Sequence, residues 1–312
     1  MGATMKAVSQ QQLGGPEVLE TVTRERPAPG IGQILIRVRA AGVNPVDSMN
    51  RQTGTLVGEP PFVLGYDVSG TVETVGPGVT VHRAGDEVFG MLPFPRGLGG
   101  YAQYVTAPAR AFVPKPANVT HVQAAALPLA GLTAYQALVD TAGVGPGSRV
   151  LVNGSAGGVG HLAVQIAKAR GAHVIALASK ANEEFVRALG ADEVIDHTTD
   201  PDLAVLAPAL DAVLETIGGD YPARAVRALR SGGVLVSTLP PTLAPAAAEA
   251  AEREVRLAGL FVEADRLGMT ALAELVAAGR LVPTVAATYP LERAGEAQAS
   301  KAGPGKTVLT VA

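Results

Sequence analysis

The chain has 312 residues, long enough for about two domains of roughly 150 residues each. Lys plus Arg number 25 against 28 Asp plus Glu, a formal net charge of -3, so no global field favours nucleic acid or an anionic membrane and any bound anion needs a local site. The absence of cysteine removes disulfides, thiolate nucleophiles and cysteine-rich zinc sites.

Apolar runs are broken by Gly, Pro or charge well before about 18 residues, and no basic-then-apolar leader opens the chain, so a soluble, cytoplasmic protein is expected. Met1 to Thr4 are expected to precede the natural start, because the first strand-like segment begins at Met5. From there to about Lys115, short β-branched runs such as GQILIRVRAAGVNP, SGTVETVGPGVTV and YAQYVTAP alternate with Gly and Pro, which predicts a twisted antiparallel β domain. Thr120 and Gln123 have capping-box spacing, predicting a helix start there, and Pro128 should kink or split the helical segment because it cannot donate the next helical hydrogen bond.

From Arg149 the runs RVLVN, HVIALA, EVID, AVLET, GGVLVST and EVRLAGLFV alternate with Ala- and Leu-rich helical stretches, among them HLAVQIAKAR, YPARAVRALR and DRLGMTALAELVAAG. That rhythm implies βαβ crossovers and a doubly wound parallel sheet. LPPTLAPAAAEAA, at 239–251, reads as a loop leading into a helix. The closing GKTVLTVA is strand-like again and is expected to return to the first domain. The expected division is therefore 1–125 with 283–312 as a β-rich unit, and 126–282 as a nucleotide-binding α/β unit.

The run RVLVNGSAGGVGHLAVQIAKA places a buried-type strand before Gly154, Gly157, Gly158 and Gly160, and an amphipathic helix after them. Glycines allow the tight turn and a close approach of backbone to a pyrophosphate, whose charge meets free amides at the helix start. A bare glycine turn also serves as a plain connector; the flanking strand, the helix and the following βαβ order favour a dinucleotide. About twenty residues on, at the end of the second strand, the fold selects its adenosine ribose. Ser179 and Lys180 stand there and no carboxylate does, so the expected cofactor is NADPH. The competing reading is a solvated lysine at a helix start.

AAGVNPVDSMNRQTG, LGYDVSGTVETVGPGVTVHRAGDEVFG, GGYAQYV, AALPLAGLTAYQAL, NGSAGGVG and GKTVLTV together resemble the zinc-free quinone oxidoreductase (zeta-crystallin-like) family of the medium-chain dehydrogenase/reductase superfamily, over nearly the whole chain. The resemblance implies a GroES-like catalytic domain, a Rossmann domain, a cleft between them and a homodimer. Zinc-dependent relatives carry cysteine where Asn44 stands and a His-Glu pair where Tyr66 and Asp67 stand. The structural zinc lobe is also missing between Phe89 and Gly100, so no metal is expected.

By the same resemblance, Asn44 would lie near the nicotinamide ribose or the substrate carbonyl, and Thr133 near the nicotinamide. The amides of Gly157, Gly158 and Val159 would hold the pyrophosphate, and Ser179 and Lys180 the 2′-phosphate. His197 falls where relatives often carry a tyrosine beside that phosphate, with a plain surface histidine as the alternative. Thr238, Leu239, Phe261 and Val262 would border the nicotinamide, while Lys306 is either a cofactor contact or simply solvated. Tyr66 is a possible proton donor or else core packing. Asp47 and Asp67 read as structural hydrogen bonders, and His82, His121, His161 and His173 as solvent-facing or near helix ends. The segment DSMNRQTGT after Asn44 lacks the aromatic residues of many relatives, which implies a wider or differently shaped pocket.

The expected reaction is hydride transfer from NADPH to a small electrophile, either a quinone or an α,β-unsaturated carbonyl. A trans-acting enoyl reductase of a biosynthetic pathway is the enzymatic alternative. An NADPH-binding sensor or structural protein with little turnover, as in lens crystallins, is the non-enzymatic one.

Overall fold

Alternation in QILIRVRAAG sets the architecture of the first part of the chain. Ile36 and Val38 are buried while Arg37 and Arg39 are exposed, the two-residue period of a strand with one face on a core. In this computed structural model, which describes residues 3–312, that strand (Gln33–Gly42) pairs antiparallel with Asp67–Val75, Tyr104–Pro108 and Lys306–Thr310. Met1 and Gly2, part of the segment expected to precede the natural start, lie outside the described residues. The first strand is Thr4–Gln10, beginning one residue before its expected start. The whole sheet runs Val285–Pro290, Lys306–Thr310, Gln33–Gly42, Asp67–Val75, Glu87–Met91, Phe112–Pro114, with Tyr104–Pro108 beside Gln33–Gly42. Ile34, Ile36, Val68, Val72, Val88, Phe112 and Leu309 form its core. Each such side chain contributes roughly 1.5–3 kcal/mol when fully buried.

Asn44 ends the long strand in an extended conformation, and Pro45, needing no helical N–H acceptor, opens the helix Pro45–Thr53. Gly54, left-handed at φ 63°, closes it, its amide donating to Asn50 O at 2.9 Å. Thr120 caps the helix His121–Ala125: its Oγ1 accepts from Gln123 N at 3.2 Å, and its own amide donates to Gln123 Oε1 at 3.0 Å. As the sequence predicts, Pro128 begins a separate helix, Pro128–Tyr135.

The other unit carries a six-stranded parallel sheet in the order Glu193–Asp196, His173–Ala178, Arg149–Asn153, Leu210–Glu215, Leu229–Ser237, Arg256–Gly259. This is the doubly wound order, with the first strand of the unit central and the connection reversing on either side of it. Helices Gly160–Ala169, Glu183–Ala188 and Tyr221–Ala228 alternate with the strands, and Leu151, Ile175, Val213, Val226 and Leu235 lie in one core cluster. Two local expectations change. In the stretch 239–251, read as a loop leading into a helix, the helix is Ala247–Glu252 and the part before it is a 3-10 helix, Pro240–Ala246, in place of a loop. The last strand stops at Gly259, so Phe261 and Val262 lie in irregular chain beyond it.

Contacts divide the chain into two units. One holds the chain up to Leu132 with Glu263–Ala277 and Pro283–Ala312, the other Thr133–Val262 with Ala278–Val282. The helix Arg266–Ala277 therefore groups with the β-rich unit, whereas the sequence reading gave 263–277 to the nucleotide unit. Asn118 Nδ2 donates to Val276 O at 2.7 Å, Arg266 Nη1 donates to Phe112 O at 3.0 Å, and a Cβ on Gly131 would stand 2.9 Å from Leu272. These contacts join residues more than a hundred positions apart.

Candidate functional site

Gly154 follows the strand Arg149–Asn153 at φ 72°, where a side chain would be strained and would also meet Thr216 Oγ1 at 2.5 Å. Gly160 opens the helix Gly160–Ala169; a Cβ there would stand 2.1 Å from Gly154 O and 2.6 Å from Ser155 Cα. The turn is thus built from backbone in contact with backbone. Gly157 N donates to Gly154 O at 2.9 Å, which closes the turn and removes this amide from the expected pyrophosphate set. The amides of Gly158 and Val159 have no backbone acceptor among the described residues. The free amides, the helix start and the lack of side chains fit a dinucleotide pyrophosphate.

At the end of His173–Ala178, Ser179 is half-buried and accepts from Asn182 Nδ2 at 3.2 Å. Lys180 is 80% exposed and its ammonium pairs with Glu183, which also accepts from Arg187 at 3.0 Å. The sequence reading missed this acid, which lies three residues beyond the strand-end pair. His197 is exposed in the 3-10 turn after Glu193–Asp196. Thr238 N donates to Glu215 O at 3.0 Å; Leu239 and Phe261 are 39% and 60% exposed, and Val262 is buried.

Glu215 was also missed. It is fully buried, and its carboxylate accepts from Asn153 Nδ2 at 2.7 Å, Ile217 N at 2.5 Å and Gly218 N at 2.8 Å. It ties the ends of two adjacent strands just before the glycine turn. An acid in the otherwise apolar run AVLET was the available signal, since a carboxylate there must be hydrogen-bonded.

In the β-rich unit the structure assembles Asn44, Asp47, Asp67 and Lys306, all at most 4% exposed. Asn44 Nδ2 donates to Asp67 Oδ2 at 2.9 Å, and Leu129 N donates to Asp67 Oδ1 at 2.7 Å. Lys306 Nζ donates to Val43 O at 2.9 Å and to Asn44 Oδ1, and lies 3.6 Å from Asp67 Oδ2. Of its two sequence readings, the solvated lysine is replaced by a buried ion pair. Burial pulls the Lys306 ammonium below the usual lysine range and pushes Asp67 up, while each charge favours the other. Two hydrogen-bond acceptors and a carboxylate 3.6 Å away surround Nζ, an arrangement that favours the charged pair.

Asp47 is also buried, accepting from Asn44 N at 2.9 Å, Tyr101 OH at 3.1 Å and Gly65 N at 3.2 Å. Burial pushes its carboxyl up to about 7. A carboxyl raised in the fold above its unfolded value stabilises the fold while protonated, and that contribution falls away as pH rises towards about 7. The melting temperature is therefore expected to decline as pH rises from 3.8 to about 7 and to level off above it, and Asp47→Asn to flatten that decline. An unchanged slope in the variant assigns the decline elsewhere.

Tyr66 is corrected as a proton donor. It is fully buried, its hydroxyl donates to Pro95 O at 2.6 Å and accepts from Asn50 Nδ2 at 3.1 Å, and its ring packs on Phe94. Both hydrogen-bonding roles of the hydroxyl are filled within the protein, and burial makes it hold its proton more tightly than an ordinary tyrosine. Thr133 is 6% exposed on Pro128–Tyr135. Two histidines are buried: His82 Nε2 lies 3.0 Å and 3.1 Å from Ala109 O and Phe112 O, and His161, at a helix start as one reading of the sequence had it, places Nδ1 2.9 Å from Gly157 O, in the glycine turn itself.

These two units define a class: a GroES-like β domain joined to a Rossmann domain, the build of a dehydrogenase or reductase. Residues 30–117 match the family model "Alcohol dehydrogenase GroES-like domain", and 189–309 match "Zinc-binding dehydrogenase". The solved quinone oxidoreductase of Coxiella burnetii superposes with a TM-score of 0.92 at 35% identity, covering 99% of this chain and 100% of that one. The quinone oxidoreductase of Lama guanicoe is 32% identical over 98% of this chain and 97% of its own length. The mitochondrial NAD(P)H oxidoreductase RTN4IP1 of Mus musculus is 33% identical, covering 89% and 82%. The chain belongs to the quinone oxidoreductase family of the medium-chain dehydrogenase/reductases; it is an oxidoreductase enzyme that uses a nicotinamide cofactor.

The second family description names zinc, and the donors of this chain do not fit it. Asn44 and Tyr66 are neutral and already hydrogen-bonded; of the two carboxylates beside them, Asp67 is compensated by a buried ammonium that would repel a divalent cation, and Asp47 is taken up by Asn44 N, Tyr101 OH and Gly65 N. Among the described residues, no three His, Cys, Asp or Glu side chains group to hold a metal, and no helix is long and apolar enough to cross a membrane.

Proposed function

We propose that the enzyme transfers a hydride from NADPH to a quinone or to the β-carbon of an α,β-unsaturated carbonyl, and that it does so without a metal. The observation that carries the cofactor choice is the strand end at Ser179 and Lys180. A hydroxyl and an exposed ammonium stand where an acidic residue would repel a 2′-phosphate. The names of the relatives support a quinone as the acceptor.

The nicotinamide, when bound, supplies the hydride. Gly158 and Val159 present amides to the pyrophosphate, and Ser179, Lys180 and His197 meet the 2′-phosphate. Thr133, Thr238, Leu239, Phe261 and Val262 border the nicotinamide; the exposed apolar Leu239 and Phe261 suit a flat ring and exclude water from it. Asn44 donates to the acceptor carbonyl. The molecule is read as a cytoplasmic homodimer.

NADPH oxidation is expected with 1,4-naphthoquinone or 2-hexenal, and turnover of enoyl thioesters alone would move the assignment to an enoyl reductase. Tight NADPH binding with no turnover of any acceptor would leave a sensor. Cofactor choice is tested separately. Lys180→Ala is expected to lower the NADPH-to-NADH efficiency ratio about 10- to 100-fold, the worth of one charge-assisted hydrogen bond. Glu183→Gln should raise the ratio, because it frees Lys180 and removes a like charge from the phosphate. Unchanged ratios in both variants reject this phosphate site.

A further inference from the structure

Lys306 is separated from Asn44 by 262 positions in sequence, yet the two side chains meet in a buried cluster. The register brings them together: Val308 pairs with Gly42 across the antiparallel strands, so two steps outward in each direction set residue 306 opposite residue 44. A carboxamide can be rotated by half a turn at little steric cost, exchanging its acceptor for its donor, so the orientation of Asn44 depends on its partners. Here both ends are specified. Oδ1 must face a donor, Lys306 Nζ, and Nδ2 must face an acceptor, Asp67 Oδ2, at 2.9 Å. One N–H of the carboxamide is then used, and the second has no acceptor among the described residues.

We propose that Lys306 is a positioning residue of this enzyme: held by Asp67, it fixes the Asn44 carboxamide so that the second Nδ2 proton is kept for the acceptor's carbonyl oxygen. This rests on the reading above in which Asn44 donates to the acceptor. A donor fixed beforehand need not reorganise as negative charge develops on that oxygen, so its effect falls on the chemical step more than on cofactor binding. Lys306 therefore acts through Asn44 and touches neither reactant.

The test separates orientation from charge balance. Lys306→Met with Asp67→Asn removes both charges together and leaves neither orphaned. Asn at position 67 can still accept from Leu129 N, but it then presents its own amide donor to Asn44 and turns that carboxamide round. Expected for this double variant are a melting temperature close to the parent's, a KM for NADPH within about twofold, and a kcat for 1,4-naphthoquinone reduced about 100- to 1,000-fold, the range for loss of one positioned donor. In an Asn44→Ala background the same pair should lower kcat no further, because the orientation it controls is already gone. A double variant with parental kcat overturns the proposal and leaves Lys306 a structural charge partner. If instead Asn44→Ala itself keeps parental kcat, the donor role of Asn44 fails, and with it the purpose of the device.

The orientation has a readout that needs no turnover. The Asn44 side-chain amide should give two well-separated, slowly exchanging proton signals in the ¹⁵N-labelled parent enzyme and altered ones in the double variant. Identical signals in the two proteins would also overturn the proposal.

Discussion

Gly160→Val is expected to weaken NADPH binding at least about 100-fold, roughly 2.7 kcal/mol. A Cβ at this position would meet Gly154 O at 2.1 Å, Ser155 Cα at 2.6 Å and Gly154 C at 2.7 Å. All three are backbone atoms and none can rotate away, so the strand end and the helix start must separate. The amides of Gly158 and Val159 then no longer converge, and the helix start moves off the pyrophosphate. Gly145→Ala is the control, since a Cβ there has nothing within 4 Å. Titration of both variants by NADPH fluorescence decides the matter: parental affinity in Gly160→Val would remove the turn from the cofactor site.

Asp67→Ala is expected to destabilise the fold by about 3–5 kcal/mol, the range for leaving one member of a buried ion pair without its partner. Three donors lose their acceptor at once: the Lys306 ammonium, Asn44 Nδ2 and Leu129 N. Water cannot easily replace it where Asp67 is fully buried and Lys306 is 4% exposed. Urea unfolding followed by circular dichroism measures the loss. A loss under about 1 kcal/mol, the range of an exposed pair, would mean that Lys306 reaches solvent or releases its proton when Asp67 is removed.

Part of the site was legible because its signals are local. The turn from Gly154 to Gly160 could be read from spacing, since positive φ and close backbone contact demand glycine whatever surrounds them. The Thr120 cap, the Pro128 break and the alternation of strand and helix from Arg149 follow equally from neighbours within a few positions. Lys180 is singled out as a candidate by its distance from the turn, but its pairing with Glu183 is not legible, because which of several nearby charges meet depends on how the 3-10 turn and helix after the strand are wound.

The remaining errors share one cause. Tyr66 was open between a proton donor and core packing until its hydroxyl was found on Pro95 O, and His82 was read as solvent-facing or near a helix end until the fold buried it. Lys306 looked like an ordinary lysine before a last strand. Its burial follows from a strand register with a segment more than 260 positions away, and burial is what turns a solvated cation into a paired one. By itself the sequence determined the two-part α/β build and the glycine turn between strand and helix, because each rests on short-range geometry or on residue chemistry. Only the tertiary structure decided which polar groups are used up inside the protein and which remain for a ligand, because that depends on partners brought together by sheet registers and buried away from water.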